Sequence, residues 1–389
     1  MKNHWMIFGA TILAAVTAAA QVGVARPVIA TENATAVQSN AAHVYVSITP
    51  KDSSNYEVAG YTAAANGQLT AVAGSPFGED VTYLTTNGKQ LFGANRNGVD
   101  IDAYTMESDG ALTYAAATDI VQGKNCDTAL SLFVDRTGAS LYNLDYDGNE
   151  CANTTYQSFA IAPTNGKLTI VDEAGASPEL ATPLEFIANN EFGYGASCYH
   201  FMPLIYGFAR GSEGALKELS SHPALPIAPA NENYCPAGAA ADAANHVAIA
   251  VQPMAGYGTT AGAFQLATYT ANASGVLTTA STHANMPAVS VGTVTSLAMS
   301  PSGNLLAVAG TNGVQVFHFN GANPVTKYTG VLAQGEIDAI AWDKSNHLYA
   351  IGQAAGKLYV FTVTATGASE VAGSPYSVSS PSSLVVVPE

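Results

Sequence analysis

The sequence predicts an all-β fold, a seven-bladed β-propeller of four-stranded blades, ring closed by the C-terminal strand pairing with the first blade. Three observations carry this expectation. A turn of the form Asn/Asp/Ser/Glu-Gly followed by Leu-Thr, or a looser copy of it, recurs with glycines at Gly67, Gly110, Gly166, Gly214, Gly275, Gly321 and Gly367. Their spacings of 43, 56, 48, 61, 46 and 46 residues hold near the length of one blade, with extra length in some copies. The last segment, SLVVVP at 383–388, matches SLAMSP at 296–301 position by position, and no further repeat follows it.

Taken from the N-terminus, the chain opens on a positive Lys2 and an apolar run at 5–20, with small residues Ala18 and Ala20 before Gln21. That pattern reads as an export signal over 1–20 that is cleaved, which places the mature protein in the periplasm or outside the cell. Residues 21–42 are rich in Ala, Thr, Asn and Gln and read as a flexible lead-in, and the propeller is expected over 43–389. No second apolar stretch of membrane length follows, so no membrane span is expected in the mature chain. The first unit starts at HVYVSI (43–48) and lacks an opening strand, which the C-terminal segment is expected to supply. The best-formed unit runs TSLAMS (295–300), a PSGN turn, LLAVAG (305–310), VQVFHF (314–319) and, past NGANP, a fourth strand. Its apolar and small residues alternate with period two, and Gly, Asn and Pro close the hairpins. The hexapeptide VAGSPF at 72–77 returns as VAGSPY at 371–376.

Composition narrows the function classes. Charged residues make up 11% of the chain, against about 25% in ordinary soluble domains, and the formal net charge is −16. An acidic, lysine-poor surface repels the phosphates of nucleic acids, which excludes them as partners. Glycine (36) and proline (18) are plentiful, as a chain of short strands joined by tight turns needs. Cys126, Cys151, Cys198 and Cys235 form an even set, which in an exported protein favours two disulfides. Neighbourhood within the repeat favours Cys126–Cys151 and Cys198–Cys235. Each pair joins a loop between the second and third strands of a blade to an inter-blade connection, all on one face of the propeller.

The recurring P-S-G turn at 301–303, the strand LFGANR at 91–96, the G-x-L-T turn at 110–113 and the two VAGSP copies resemble the lactonase-family, 6-phosphogluconolactonase-like, seven-bladed propellers, in their exported bacterial type. The resemblance covers 43–389. It implies the propeller fold and, for its enzymes, lactone hydrolysis supported by a histidine at the inner end of a first strand. The corresponding starts at 79–84, 128–133, 183–188, 236–241, 293–298 and 336–341 contain neither His nor Arg. The Asn95-Arg96 step matches the family's Asn/Asp-Arg pair, so Arg96 is the basic residue that the resemblance retains.

The face bearing the loops between second and third strands and the inter-blade connections is the expected functional face, because long loops on a rigid scaffold carry function. Its cations are few and its acids many, which disfavours a phosphorylated substrate. Glu79, Asp80, Glu185, Glu336 and Asp338 sit near the starts of innermost strands and are candidates to ring the channel mouth. His200, beside Cys198 with Tyr194 and Tyr199 nearby, is a candidate general base. Asn143, Asp145 and Asp147, with Gly148, resemble the opening of a calcium loop whose closing acid is absent, since the twelfth position is Thr154. No other cofactor is indicated. These readings favour a non-catalytic binding or scaffold protein of the cell envelope, a monomer that takes a small neutral ligand or a protein partner on the loop face. The alternative is a hydrolase that opens a sugar or other non-phosphorylated lactone.

Overall fold

The structure is a computed structural model, and it describes residues 40–120, 131–145, 155–175 and 181–389. Seven antiparallel sheets follow one another along the chain, and no described residue is helical. The innermost strands are, in ring order, Pro381–Pro388, Val81–Thr86, Ser131–Val134, Glu185–Phe186, Asn233–Ala241, Val294–Met299 and Ala339–Trp342. In each blade the next three strands pair outward in sequence, as the repeat predicts. Blade seven adds a fifth short strand, Tyr376–Ser377, against Lys357–Thr364.

Ring closure is made by the predicted segment. Pro381–Pro388 pairs antiparallel with Asn40–Ile48, from Ala42 opposite Pro388 to Ile48 opposite Pro381. The first strand thus begins at Asn40 rather than at His43. On its other side the closing strand meets blade two, where the Ser383 hydroxyl accepts the Leu84 N–H (3.1 Å) and Ser382 bonds Thr82 (3.0 Å). The imidazole of His43 pairs with Glu389 at 2.8 Å. Asn40–Ile48 therefore does not present the unpaired edge through which an incomplete first blade would add another chain.

The repeated turn glycine has a physical reason. All seven have positive φ, for example 85° at Gly110 and 79° at Gly275, six in the turn between third and fourth strands and Gly367 at the start of the fourth. Six of them also lie against a side chain of the second strand in the preceding blade, the first residue of that strand in five cases and His43 in the sixth. A Cβ at Gly110 would come within 2.6 Å of His43, one at Gly214 within 2.3 Å of Ser140, and one at Gly275 within 2.4 Å of Phe192. Tyrosines reinforce the same joints: Tyr45, Tyr142 and Tyr194 donate to the carbonyls of Gly110, Gly214 and Gly275 at 2.9, 2.9 and 2.7 Å. Many of the tyrosines are therefore buried latches between blades, with burial raising their hydroxyls above the ordinary phenol range.

The two VAGSP copies also share one geometry. The Val72 and Val371 N–H groups donate to Gly60 and Val360, and the Ser75 and Ser374 hydroxyls accept the N–H of those same third-strand residues at 2.9 Å. The serine thus replaces a ladder partner as the fourth strand peels away. The Ser75–Pro76 and Ser374–Pro375 bonds are both cis, and the chain then rejoins the third strand at Phe77 and Tyr376.

The turn joining first and second strands is fixed by a buried carboxylate. In blade seven, Asp343 Oδ1 accepts the N–H groups of Ser345 and His347, both at 2.8 Å. Its Oδ2 takes the His347 ring (2.6 Å) and the Tyr349 hydroxyl (2.9 Å). Asp242 repeats this in blade five with Ala244 and His246. Blade three uses Asp135, paired with Arg210 of blade four at 2.6 Å. The Asp-x-x-x-His spacing is thus a turn lock, and Trp342-Asp343 is core packing plus this lock.

Candidate functional site

The central channel has two mouths with different chemistry. The mouth on the loop face opens between blades four, five and six into a space of about 460 Å³ whose lining includes Thr182, Ser197, Ala237, Gly238 and Thr295. Among the described residues its lining contains no charged side chain. Cys198 and Cys235 form the predicted disulfide beside it, with Cα atoms 5.3 Å apart. Both cysteines lie within strand ends, Phe192–Tyr199 and Asn233–Ala241, and not in the loops to which the sequence assigned them. Here the strands extend further up than the repeat suggests. Cys126 and Cys151 lie outside the described residues. Ser197 is buried to 6% exposure, and its hydroxyl has no hydrogen-bond partner among the described residues.

The sequence-predicted site residues do not converge on this mouth. Arg96 is exposed in the turn of blade two and donates to the Asn55 side chain of blade one (2.7 Å), bridging two loops. His200 lies in a tight hairpin with φ of 48°, followed by Phe201 at 61°. Its ring stacks on Tyr199 at 4.0 Å and meets the edge of Tyr257 at 5.9 Å. Among the described residues that ring makes no hydrogen bond, so no group orients it as a base.

The candidate acids are likewise engaged locally. Asp80 accepts the Tyr56 N–H (2.7 Å), and Asp338 accepts the Gln353 N–H (2.7 Å). Burial holds the Glu79 carboxyl above its usual range, while its interaction with Tyr104 works against the rise. Near it, burial, Asp100 and Glu79 push Asp102 up to about 6. Glu336 is exposed. Asn143 and Asp145 lie in the strand Ser140–Asp145, where Asn143 donates to Gln157 (2.8 Å) inside the blade, and Asp147 lies outside the described residues. Among the described residues no three acidic, His or Cys side chains are grouped to hold a metal.

Glu185 requires a correction. The sequence placed it at the loop-face mouth, as the start of an innermost strand. That strand pairs only through Glu185 and Phe186, and Ile187 already closes the turn by donating to Phe192. Glu185 therefore sits at the opposite mouth. There it meets Arg136, which the sequence analysis passed over. Arg136 occupies the turn position held by Pro301 in blade six, and this break in the repeat is the signal that could have found it. Tyr83 was passed over as well: with φ of 51° in a bulge of an innermost strand and 41% exposure, it borders the channel.

No family model and no curated protein matches the chain. Solved structures do. A candidate 6-phosphogluconolactonase from Bacteroides fragilis aligns over 90% of this chain and 99% of its own, at 13% identity and a TM-score of 0.65. Another from Bacteroides uniformis aligns over 90% and 100%, at 12% identity and 0.66. The fold is the lactonase-like propeller. A Desulfotomaculum acetoxidans protein of unknown function shares it at 12% identity and a TM-score of 0.58, over 90% of this chain and 99% of its own. The likeness at these identities concerns architecture alone.

Proposed function

We propose that this lactonase-like propeller is an exported, non-catalytic binding protein of the cell envelope, which takes a small neutral ligand at the loop-face mouth. The observation that carries the reading is the lining of that mouth. Among the described residues, small and hydroxyl-bearing side chains without charge surround the space, and the buried Ser197 hydroxyl has no protein partner and can serve a ligand. A neutral, hydroxyl-rich molecule suits such a wall, whereas a phosphosugar needs cations to match its charge. Arg96, Asp80 and Asp338 serve separate local bonds and the His200 ring packs on tyrosines, whereas an acyl-transfer site needs a nucleophile, a base and a donor pair around one point. A protein partner would use the surrounding loops, including the exposed Tyr257 (74%).

The test is a hydrolysis screen with glucono-1,5-lactone and its 6-phosphate, with and without calcium. The expected result is turnover equal to buffer, unchanged by Arg96→Ala or His200→Ala. Turnover that either variant abolishes would establish the hydrolase instead. Export is checked by expressing the full chain and sequencing the N-terminus of the envelope fraction, with Gln21 expected as the first residue.

A further inference from the structure

The mouth opposite the loop face holds a cavity of about 450 Å³ between blades three to seven. Apolar side chains, Leu297, Met299, Ile340 and Trp342 among them, share its lining with polar backbone and with two charged side chains, Arg136 and Glu185. The guanidinium of Arg136 is held across three blades: Nε donates to Phe186, and Nη2 donates to Ala241 (3.1 Å) and Asp242. The Arg136 N–H donates to Asn190 (3.0 Å), which locks the turn from which the side chain springs. Arg136 is thus pinned by carbonyls while Nη1 has no protein partner among the described residues. Glu185 is enclosed beside it and accepts from the backbone of Ala241. A turn position that holds proline in blade six here holds an arginine whose donors reach into the channel wall.

We propose that this cavity binds a neutral, amphipathic small molecule carrying one hydroxyl or primary-amide head, which seats between the Arg136 guanidinium and the Glu185 carboxylate. Electrostatics selects that head. A carboxylate ligand would meet Glu185, and an ammonium ligand would meet Arg136, each at short range and in a site that screens poorly. A hydroxyl or amide can donate to Glu185 and accept from Arg136 Nη1 at once, leaving neither ion unpartnered. Leu297 and Met299 of the lining then meet the tail, and the volume falls within the ordinary range of ligand pockets, about 300–1,000 Å³. Burial raises the Glu185 carboxyl and lowers the Arg136 guanidinium, the mark of ions that lack their water and gain from a ligand's polar group. The site lies at the other end of the channel from the loop-face mouth and stands or falls independently of the reading given above.

The probe is N-phenyl-1-naphthylamine, a neutral dye with one N–H, titrated against the full chain by fluorescence. Saturable binding is expected, with energy transfer from Trp342 that is lost in Trp342→Phe while the dye still binds. Met299→Trp, which fills the cavity, is expected to weaken the dye at least tenfold at unchanged thermal midpoint. Hexanamide is expected to displace the dye at concentrations at least tenfold lower than hexanoate or hexylammonium, and Glu185→Leu is expected to erase that preference. No saturable binding, or affinity unaltered in a folded Met299→Trp, would overturn the site. Displacement by either charged competitor as effective as by hexanamide would overturn the head-group assignment. Should Met299→Trp fail to fold, the Trp342 transfer decides in its place: presence supports the site and absence overturns it.

Discussion

Replacing Asp343 by Ala tests the turn lock quantitatively. Asp343 is fully buried and accepts four hydrogen bonds. Ser345 is exposed, so its N–H regains water. The His347 N–H, the His347 ring and the Tyr349 hydroxyl are buried and would be left without a partner. Orphaned buried donors cost about 1–3 kcal/mol each, so the three together put the loss near 5 kcal/mol. Propellers of ordinary stability hold about 5–15 kcal/mol in all, so the variant should unfold at a much lower guanidinium concentration with an unchanged slope. Asp242 supplies an internal control. It makes the same turn bonds, but the His246 side chain is 20% exposed and Ala248 stands where blade seven has Tyr349. Asp242→Ala should therefore cost about 2 kcal/mol, because one buried donor is missing and another reaches water. Adding Tyr349→Phe to Asp343→Ala should restore roughly 1–2 kcal/mol by removing an orphaned hydroxyl. Equal losses at Asp343 and Asp242, or a loss below about 1 kcal/mol at Asp343, would refute the claim that the buried carboxylate fixes the turn.

Deleting residues 382–389 removes the closing strand and bares an inner edge at Asn40–Ile48, so the truncated chain should lose most of its stability and associate. A truncated protein that melts like the full chain would discard ring closure as a stabilising device. Cys198 and Cys235 are 37 residues apart, and opening a loop of that size by Cys198→Ser with Cys235→Ser should cost about 4 kcal/mol in the chain-entropy account, read as a lower denaturation midpoint. Asp102, pushed up to about 6, binds its proton more tightly folded than unfolded. Its contribution is therefore largest below pH 4 and is lost as pH rises towards 6. Because the group is partly exposed, screening leaves about 1 kcal/mol, which Asp102→Asn should restore at pH 7 while leaving stability at pH 4 unchanged.

The blade count, the order of strands and the closing segment were legible because each depends on local pattern: a glycine that must adopt positive φ, a period of two, a strand missing at one end and supplied at the other. Gly275 illustrates this, since both its φ and the Phe192 ring against it forbid a side chain. The Cys198–Cys235 pair was legible from its place in the repeat. The site was not. Arg136 and Glu185 belong to different blades, and their meeting depends on where the strand Glu185–Phe186 lies along the channel. That register is set by the short turn back to Phe192 and leaves no periodic trace. Arg96 failed differently: the Asn-Arg step is present, but its partner Asn55 lies on the neighbouring loop, away from the channel.

The closing pair has a mechanical consequence. Asn40–Ile48 and Pro381–Pro388 run antiparallel, with Ala42 opposite Pro388, so the chain enters and leaves the propeller at the same end of one ladder. Tension applied between those two points loads the Ala42–Pro388 rung alone, then the next, and the ring opens like a zip at low force. The same ladder sheared along its length would have to break every rung together. A propeller tethered through residues before 40 and pulled by something fused after 389 is thus built to yield.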